Sequence, residues 1–315
     1  MPRVVSLLPS ATETVCAVGG LSDLVGVSHE CDHPPEVASL PAVTRSKAVA
    51  GPTSLEIDRS VRDVVRSALG VYDVDVDALR DLSPDVVVTQ NLCDVCAVSL
   101  DDVRAAVKAL ARRDVAIVSL TPTQLADVLE DVPRVGRAIG RAAAADRVAA
   151  DMRARIEAVR ARAEKAASRP SVLTIEWIEP VMLGGTWMPE LVEIAGGRPL
   201  VTKPGDKAPT VGLDALAAMD PDVVVVKPCG FDVERTLREI GVLARVLPWT
   251  KWRCARASRV FVADGNAYFN RPGPRIADSL EILAACVHPA LFADFRARYA
   301  GAVRRVAPDL SAQDW

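Results

Sequence analysis

Residues 77–93, DALRDLSPDVVVTQNLC, return later in the chain as residues 214–229, DALAAMDPDVVVVKPC. Pro84 aligns with Pro221 and Asp85 with Asp222 at one constant offset, and the flanking Asp-Ala-Leu stays in register. A second pair repeats in the same way: TETVCAVGG, residues 12–20, corresponds to PELVEIAGG, residues 189–197. Each PDVVV run is a short continuous apolar segment, the kind that is buried on both faces of a parallel sheet. Two copies are too few for a solenoid, so the repeat reads as two duplicated lobes.

Strand and helix patterns alternate around both copies. In the first half RVVSLL, LVGVS, PDVVVTQ and VAIVSL read as strands, with helices at SVRDVVRSALG and SLDDVRAAVKALARR. An earlier helix begins at Ser10, with Glu13 three residues on as a capping box and Gly19-Gly20 as its stop. In the second half SVLTIEW, PDVVVVKPC and RVFVAD continue the rhythm, and closing helices run from about Pro274 to Val303. Between the halves, Arg134 to Ala167 is rich in Ala, Arg and Glu, with no Pro and no Gly after Gly140. One helix there would be roughly 50 Å long. The expected fold is therefore α/β: two Rossmann-like lobes with parallel sheets, residues 1–124 and 170–303, joined by one long spanning helix within 125–169. Residues 304–315 are left as a tail.

Composition excludes several roles. The chain has 315 residues, a net charge of −3 and no strongly basic block free of acids, so nothing advertises nucleic acid. It has no apolar run of about 18 residues, so membrane insertion is not expected. MPRVVSLLPS opens directly into a strand pattern without a leader, which places the chain in the cytoplasm as written, or in the periplasm or outside the cell if a leader has been removed. The seven cysteines, Cys16, Cys31, Cys93, Cys96, Cys229, Cys254 and Cys286, are odd in number, which argues against a disulfide scaffold. Cys16 and Cys286 fall on helical apolar patterns and read as core.

In open parallel sheets ligands bind beyond the carboxyl ends of the strands. Two facing lobes place those ends around one cleft. The first lobe supplies PSATE, with Pro9, Ser10, Thr12 and Glu13, then HECDHPP, with Cys31 and His33, then TQNLCDVC, beginning at Gln90. The second supplies EWIEPVMLGGTW with Trp177 and Trp187, KPCGFD with Cys229 and Phe231, and DGNAYFNRPGPR with Tyr268, Phe269, Arg271 and Arg275. Five of the thirteen aromatic residues thus sit on these loops, as a platform for a large flat ligand would require. Trp249, Trp252, Phe261, Phe292 and Phe295 are assigned to the core. Arg271 and Arg275 either hold an acid group of a ligand or cap backbone carbonyls.

Cys31, His33, Cys93 and Cys96 offer three sulfurs and one imidazole, a donor set suited to tetrahedral zinc. The competing reading is packed thiols bordering a ligand pocket. A redox dithiol would want a helix N-terminus directly after Cys93, and the nearest N-cap is Ser99. His29 continues a strand pattern and reads as buried, whereas His288 before Pro289 marks a helix boundary. There is no phosphate loop, G-x-S-x-G or H-E-x-x-H. Glu13, Asp94, Glu176 and Glu179 form no spaced base–nucleophile pair, so a binding protein is favoured over an enzyme.

Taken together, RVVSLLPSATE, VGVSHECDHPPEV, LSPDVVVTQ and FNRPGPRIADSLEILA resemble the substrate-binding proteins of iron-siderophore and cobalamin ABC importers, most of all the cobalamin-binding branch. The resemblance covers nearly the whole chain. It implies two lobes bridged by a long helix, a corrinoid, haem or siderophore in the cleft, and an ABC permease as partner if the chain is exported. It also implies that Pro9 to Glu13, Cys31 to Pro35, Trp177 and Tyr268 to Arg275 face the ligand, and that one surface acid on each lobe, in the regions of Glu56 and Glu193, docks on the permease. The thiol group at Cys31, Cys93 and Cys96 is not part of that pattern, so the chain reads as a leaderless offshoot. A cobalamin-like ligand is the leading expectation; a zinc metalloprotein or metalloenzyme and a haem or siderophore carrier are the alternatives.

Overall fold

The computed structural model describes residues 1–49, 51–66, 71–90, 100–109, 114–249 and 251–315. The first lobe runs β1 (Val4–Ser6), α1 (Pro9–Ala17), β2 (Leu24–Val27), β3 (Thr44–Ser46), α2 (Ser54–Arg66), β4 (Tyr72–Val74), α3 (Val76–Leu82), β5 (Val86–Gln90), α4 (Leu100–Ala109) and β6 (Ala116–Leu120). Its main sheet is all parallel in the order β2-β1-β5-β6, with β3 and β4 as a separate antiparallel pair. The sheet is covered on both faces, which is why its strands are apolar without alternation. Val4, Val86 and Val88 join one core cluster, while Val5 and Val87 pack with Leu79 and Val103 on the other side.

The second lobe contains β7 (Ser171–Trp177), β8 (Met182–Leu183), α7 (Met188–Ile194), β9 (Arg198–Pro199), α8 (Leu213–Ala217), β10 (Val223–Val226), α9 (Val233–Val246), α10 (Arg253–Arg256), β11 (Val260–Ala263), α11 (Ile276–Val287), α12 (Ala293–Arg298), β12 (Val303–Val306) and β13 (Ala312–Asp314), numbering the intervening bridge helices α5 and α6. Its parallel centre, β9-β7-β10-β11, has the strand order of β2-β1-β5-β6 in the first lobe. Residues 304–315 are not a free tail: β12 pairs antiparallel with β11, and β13 with β12. Two short strands so placed extend an edge that the parallel centre alone would leave open.

The duplication reaches single atoms. Gly19 and Gly196 both take a left-handed backbone, φ 80° and 82°, at the ends of α1 and α7. Gly20 N donates to Val15 O at 2.8 Å, and Gly197 N to Val192 O at 2.9 Å. These are matching glycine stops on matching helices.

The bridge is narrower than 125–169. It is a helical hairpin, α5 (Leu125–Ala138) followed by the 22-residue α6 (Ala142–Ala163). Gly140 at φ 73° turns the chain, and Gly136 approaches Ala145 so closely that a Cβ there would lie 2.2 Å from its methyl. The single long helix expected over Arg134–Ala167 is therefore broken, and the spanning helix is α6, about 33 Å long. Arg141, preceding it, pairs with Asp23 in the first lobe at 2.8 Å. Farther along, Arg155 holds Asp278 and Glu281 on α11 of the second lobe, and Arg162 holds Asp294 on α12.

Candidate functional site

The carboxyl ends of both parallel sheets turn toward each other, and a charged latch joins them. Glu13, on α1, is 4% exposed. It accepts Arg275 Nε at 2.9 Å and Arg275 Nη2 at 2.6 Å, and Arg271 Nη1 at 3.0 Å. Asp32, in the loop after β2, accepts Arg271 Nη1 at 2.5 Å and Nη2 at 2.9 Å, and Asn266 Nδ2 at 2.8 Å. Both arginines and the asparagine come from the loop after β11. Burial opposes ionisation of Asp32, but the Arg271 guanidinium outweighs it and holds the carboxyl below the usual range. Burial likewise works against the charge on Arg271, and Asp32 and Glu13 overcome it. The expected capping box is absent. α1 begins at Pro9 with Leu8 as N-cap, the Ser10 hydroxyl is buried without a partner among the described residues, and Glu13 is committed to the arginines.

A second seam lies at the start of α2. Glu239 of α9 accepts Ser54 N at 2.8 Å and Ser54 Oγ at 2.7 Å, capping a first-lobe helix from the second lobe. Beside it, Arg235 donates to Gly51 O at 3.1 Å and lies 3.9 Å above the Phe231 ring. Phe231 in turn packs against Trp177, with ring centroids 5.3 Å apart. The Trp177 indole N–H is buried with no hydrogen-bond partner among the described residues, and Cys229 nearby in sequence is exposed. Behind this wall the fully buried Lys227 donates to Glu176 Oε2 at 2.9 Å and Asn270 Oδ1 at 2.8 Å. Asn270 passes the link to Gly265 O, so one ammonium ties the loop ends of β7, β10 and β11.

Residues 4–267 match the family described as periplasmic binding protein. The chain belongs to that family. The cobalamin-binding protein of Halobacterium salinarum strain R1 is 25% identical over 290 residues, covering 91% of this chain and 69% of that protein. An uncharacterised ABC transporter substrate-binding lipoprotein of Bacillus subtilis is 21% identical over 298 residues, covering 92% of this chain and 81% of that protein. Among solved structures, a periplasmic heme-binding protein from Pseudomonas aeruginosa superposes with a TM-score of 0.68 at 23% identity, covering 100% of this chain and 98% of that one.

In this periplasmic binding protein the latch gathers Glu13, Arg271 and Arg275 with Tyr268, whose ring lies 5.5 Å from the Arg275 guanidinium. His33 adjoins them. Thr12 is buried, bonded to Ser6 Oγ at 2.8 Å and in contact with Cys31 Sγ at 3.1 Å. Gln90 is 5% exposed at the end of β5. Trp187 and Phe269 do not form a ring platform. They are 5% and 0% exposed, and Trp187 Nε1 donates to Phe269 O at 2.8 Å, bracing the core. His29 is exposed rather than buried, with Nδ1 2.7 Å from Thr44 Oγ1. His288 caps α11 as expected, and Trp249, Trp252, Phe261, Phe292 and Phe295 are core residues.

Nothing in the described residues supports the zinc donor set. Among the described residues no group of three or more His, Cys, Asp and Glu could hold a metal ion. Cys93 and Cys96 lie outside the described residues. Burial pushes the Cys31 thiol up to about 11, even against its hydrogen bond to Thr12, which keeps the free thiol protonated at neutral pH. Sequence reasoning passed over Asp32, Asn266 and Lys227. Asp32 stands between the two residues that drew attention as ligands, and Lys227 follows four valines, where a lone cation at a strand end was the available signal.

Proposed function

We propose that this periplasmic binding protein captures a corrinoid between its lobes and presents it to an ABC permease. The observation that carries the corrinoid reading is the charge balance of the latch: Glu13 and Asp32 already occupy Arg271 and Arg275 on several donors each. Lys227 is likewise engaged by Glu176. A haem brings two propionates and needs cations to meet them, whereas the rim of a corrinoid is lined with neutral amides. Amides can pair with backbone groups without displacing buried ion pairs, whose rupture is costly. Similarity to the Halobacterium cobalamin-binding protein over 91% of the chain supports the same choice. The substrate-binding lipoprotein of Bacillus supports delivery to a permease, with capture on the outer side of the membrane. No helix among the described residues is long and apolar enough to cross a membrane, so passage belongs to the partner. A haem carrier is the second reading, favoured by the Pseudomonas structure.

Calorimetric and absorbance titrations with cyanocobalamin, cobinamide and haem decide between them. The expected result is corrinoid binding at least about a hundredfold tighter than haem, a difference of about 2.7 kcal/mol. Tight haem binding with no corrinoid binding transfers the chain to the second reading, and no binding of any of the three ends both.

A further inference from the structure

The chain between β3 and β4 leaves the first lobe and returns to it. Its two ends are pinned together: Ser46 pairs with Tyr72 in the β3–β4 ribbon, Lys47 N donates to Val71 O at 2.8 Å, and Lys47 Nζ lies 2.7 Å from Asp73. Val43, Tyr72 and Val74 root that ribbon in the first-lobe core. Between these ends α2 starts from its own resources. Thr53 and Glu56 form a capping box, with Thr53 N donating to Glu56 Oε2 at 3.1 Å and Glu56 N to Thr53 Oγ1 at 3.3 Å. Val49 N donates to Ser60 Oγ at 2.8 Å, which folds the incoming chain against the helix.

The bonds that dock α2, among the described residues, run to the second lobe. Of its described residues only Ser54 is buried, and Glu239 of α9 covers it through both Ser54 N and Ser54 Oγ. Ile57 packs against the second-lobe core that contains Phe231 and Ile240. Gly51 O accepts Arg235 at 3.1 Å, the Arg235 guanidinium lies 3.9 Å above Phe231, and Phe231 packs on Trp177. The base of α2 therefore rests on the aromatic wall at the carboxyl ends of β7 and β10. Because Thr53 already caps the helix, the Glu239 bonds are not needed to start it, and they serve as a clip between lobes. A helix with so little burial depends on such docking contacts and opens at low cost. We propose that α2 is a lid on the cleft, hinged on the β3–β4 ribbon of the first lobe and clipped to α9 of the second by Glu239 and Arg235. Release of the clip swings the capped helix away as a unit and uncovers Arg235, Phe231 and Trp177. Docking again closes that wall over the ligand. The Glu13–Asp32 latch shares no residue with the clip, so the two can be tested apart.

This inference rests on the reading of a ligand held between the lobes, and the test separates the two. Amide hydrogen exchange, followed by mass spectrometry on the whole chain, is the measurement, and cyanocobalamin is the probe. In the ligand-free wild-type protein the amides of α2 should exchange at least about tenfold faster than those of β5 and α11. Glu239→Ala and, more mildly, Ser54→Ala should speed α2 further while the β3–β4 ribbon and the loops carrying Asp32 and Arg271 stay as in wild type. Saturating cyanocobalamin should slow α2 in the wild-type protein by at least about tenfold. Exchange in α2 as slow as in β5 and α11 overturns the lid. Variants that speed the latch loops together with α2 overturn it too, since Glu239 would then hold whole lobes rather than one helix. Cyanocobalamin bound, by calorimetry on the same samples, with α2 exchange unchanged overturns the lid and leaves the corrinoid reading intact. Failure of the wild-type protein to bind cyanocobalamin, cobinamide or haem overturns both.

Discussion

Asp131 carries a charge where the fold gives it little support. It is 5% exposed on α5, Oδ2 has no hydrogen-bond partner among the described residues, and Oδ1 lies 3.4 Å from Arg134. Burial pushes its carboxyl up to about 6, helped by Asp127 and Glu130 and resisted by Arg134. An unfolded aspartate titrates near 3.9, so between these values the folded chain holds the extra proton and stability falls as pH rises. Asp131→Asn removes that penalty. The variant should melt higher than wild type at pH 7.5, by about 1–3 kcal/mol of stability, and show no such gain at pH 4. Equal gains at both pH values in differential scanning calorimetry would refute the assignment. Lys227 is the opposite case, a buried cation fully supplied with partners. Lys227→Met strands Glu176 and Asn270 and should cost about 2–4 kcal/mol in urea unfolding, most of it restored by adding Glu176→Gln. If the double variant is no more stable than the single one, the pair is not coupled. At this scale the sequence was legible for the ion-pairing arginines but not for their partners. Asp32 lay between Cys31 and His33 in plain view, and only the fold shows that its carboxylate meets an arginine 239 positions away.

The two glycine stops measure how far the duplication constrains each helix. Gly19 and Gly196 occupy the same left-handed position, where any other residue is strained by about 1–2 kcal/mol. Their surroundings differ. A Cβ on Gly19 would meet only Arg141 Nη1 at 3.5 Å, an ordinary contact, while one on Gly196 would meet His288 Nε2 at 2.9 Å and Ala163 Cβ at 3.2 Å. Gly196→Ala should therefore destabilise more than Gly19→Ala by about 1 kcal/mol in matched denaturation curves, because its added methyl must also displace a ring bonded to Gly196 O. The reverse order would show that the second stop is looser than its contacts imply. These glycines were readable because a Gly-Gly pair after a helical pattern is a strong stop. The α5–α6 break was harder to read. Gly140 is a single glycine in an Ala-, Arg- and Glu-rich stretch, and helix propensity alone favours continuation through it. What breaks the helix is tertiary, the return of α6 onto α5 through the small-residue contact of Gly136 and Ala145. The β12–β13 edge was missed for a similar reason, since Val303–Val306 carries two arginines and pairs only because β11 offers it an open side.

At the scale of the molecule, carboxylates cross between the lobes at two separate places. Glu13 and Asp32 reach from the first lobe to the arginines of the second, and Glu239 reaches from the second to the N-terminus of α2 in the first. The duplicated halves were visible in the sequence because each repeats its own strand and helix pattern. The seams were not, since each is made by residues remote in sequence. With α6 as the fixed spacer, these seams are what would have to yield for the proposed corrinoid to enter. Glu239 is the cleaner handle, because its hydrogen bonds run to Ser54 rather than to the latch. Its carboxylate accepts a backbone N–H and a hydroxyl at a helix N-terminus, where negative charge is favoured, so Glu239→Gln weakens the seam while retaining its shape. The ligand-free variant should show a larger radius of gyration than wild type in small-angle scattering, and bound corrinoid should bring both to the same value. Closure then draws on contacts to the ligand from both lobes, which a seam variant does not remove. Association should be faster and the equilibrium affinity lower in the variant if the seam stabilises the closed arrangement, since closure would no longer be favoured before binding. An unchanged radius of gyration in the ligand-free variant would mean that α6 and the Glu13–Asp32 latch alone set the distance between the lobes.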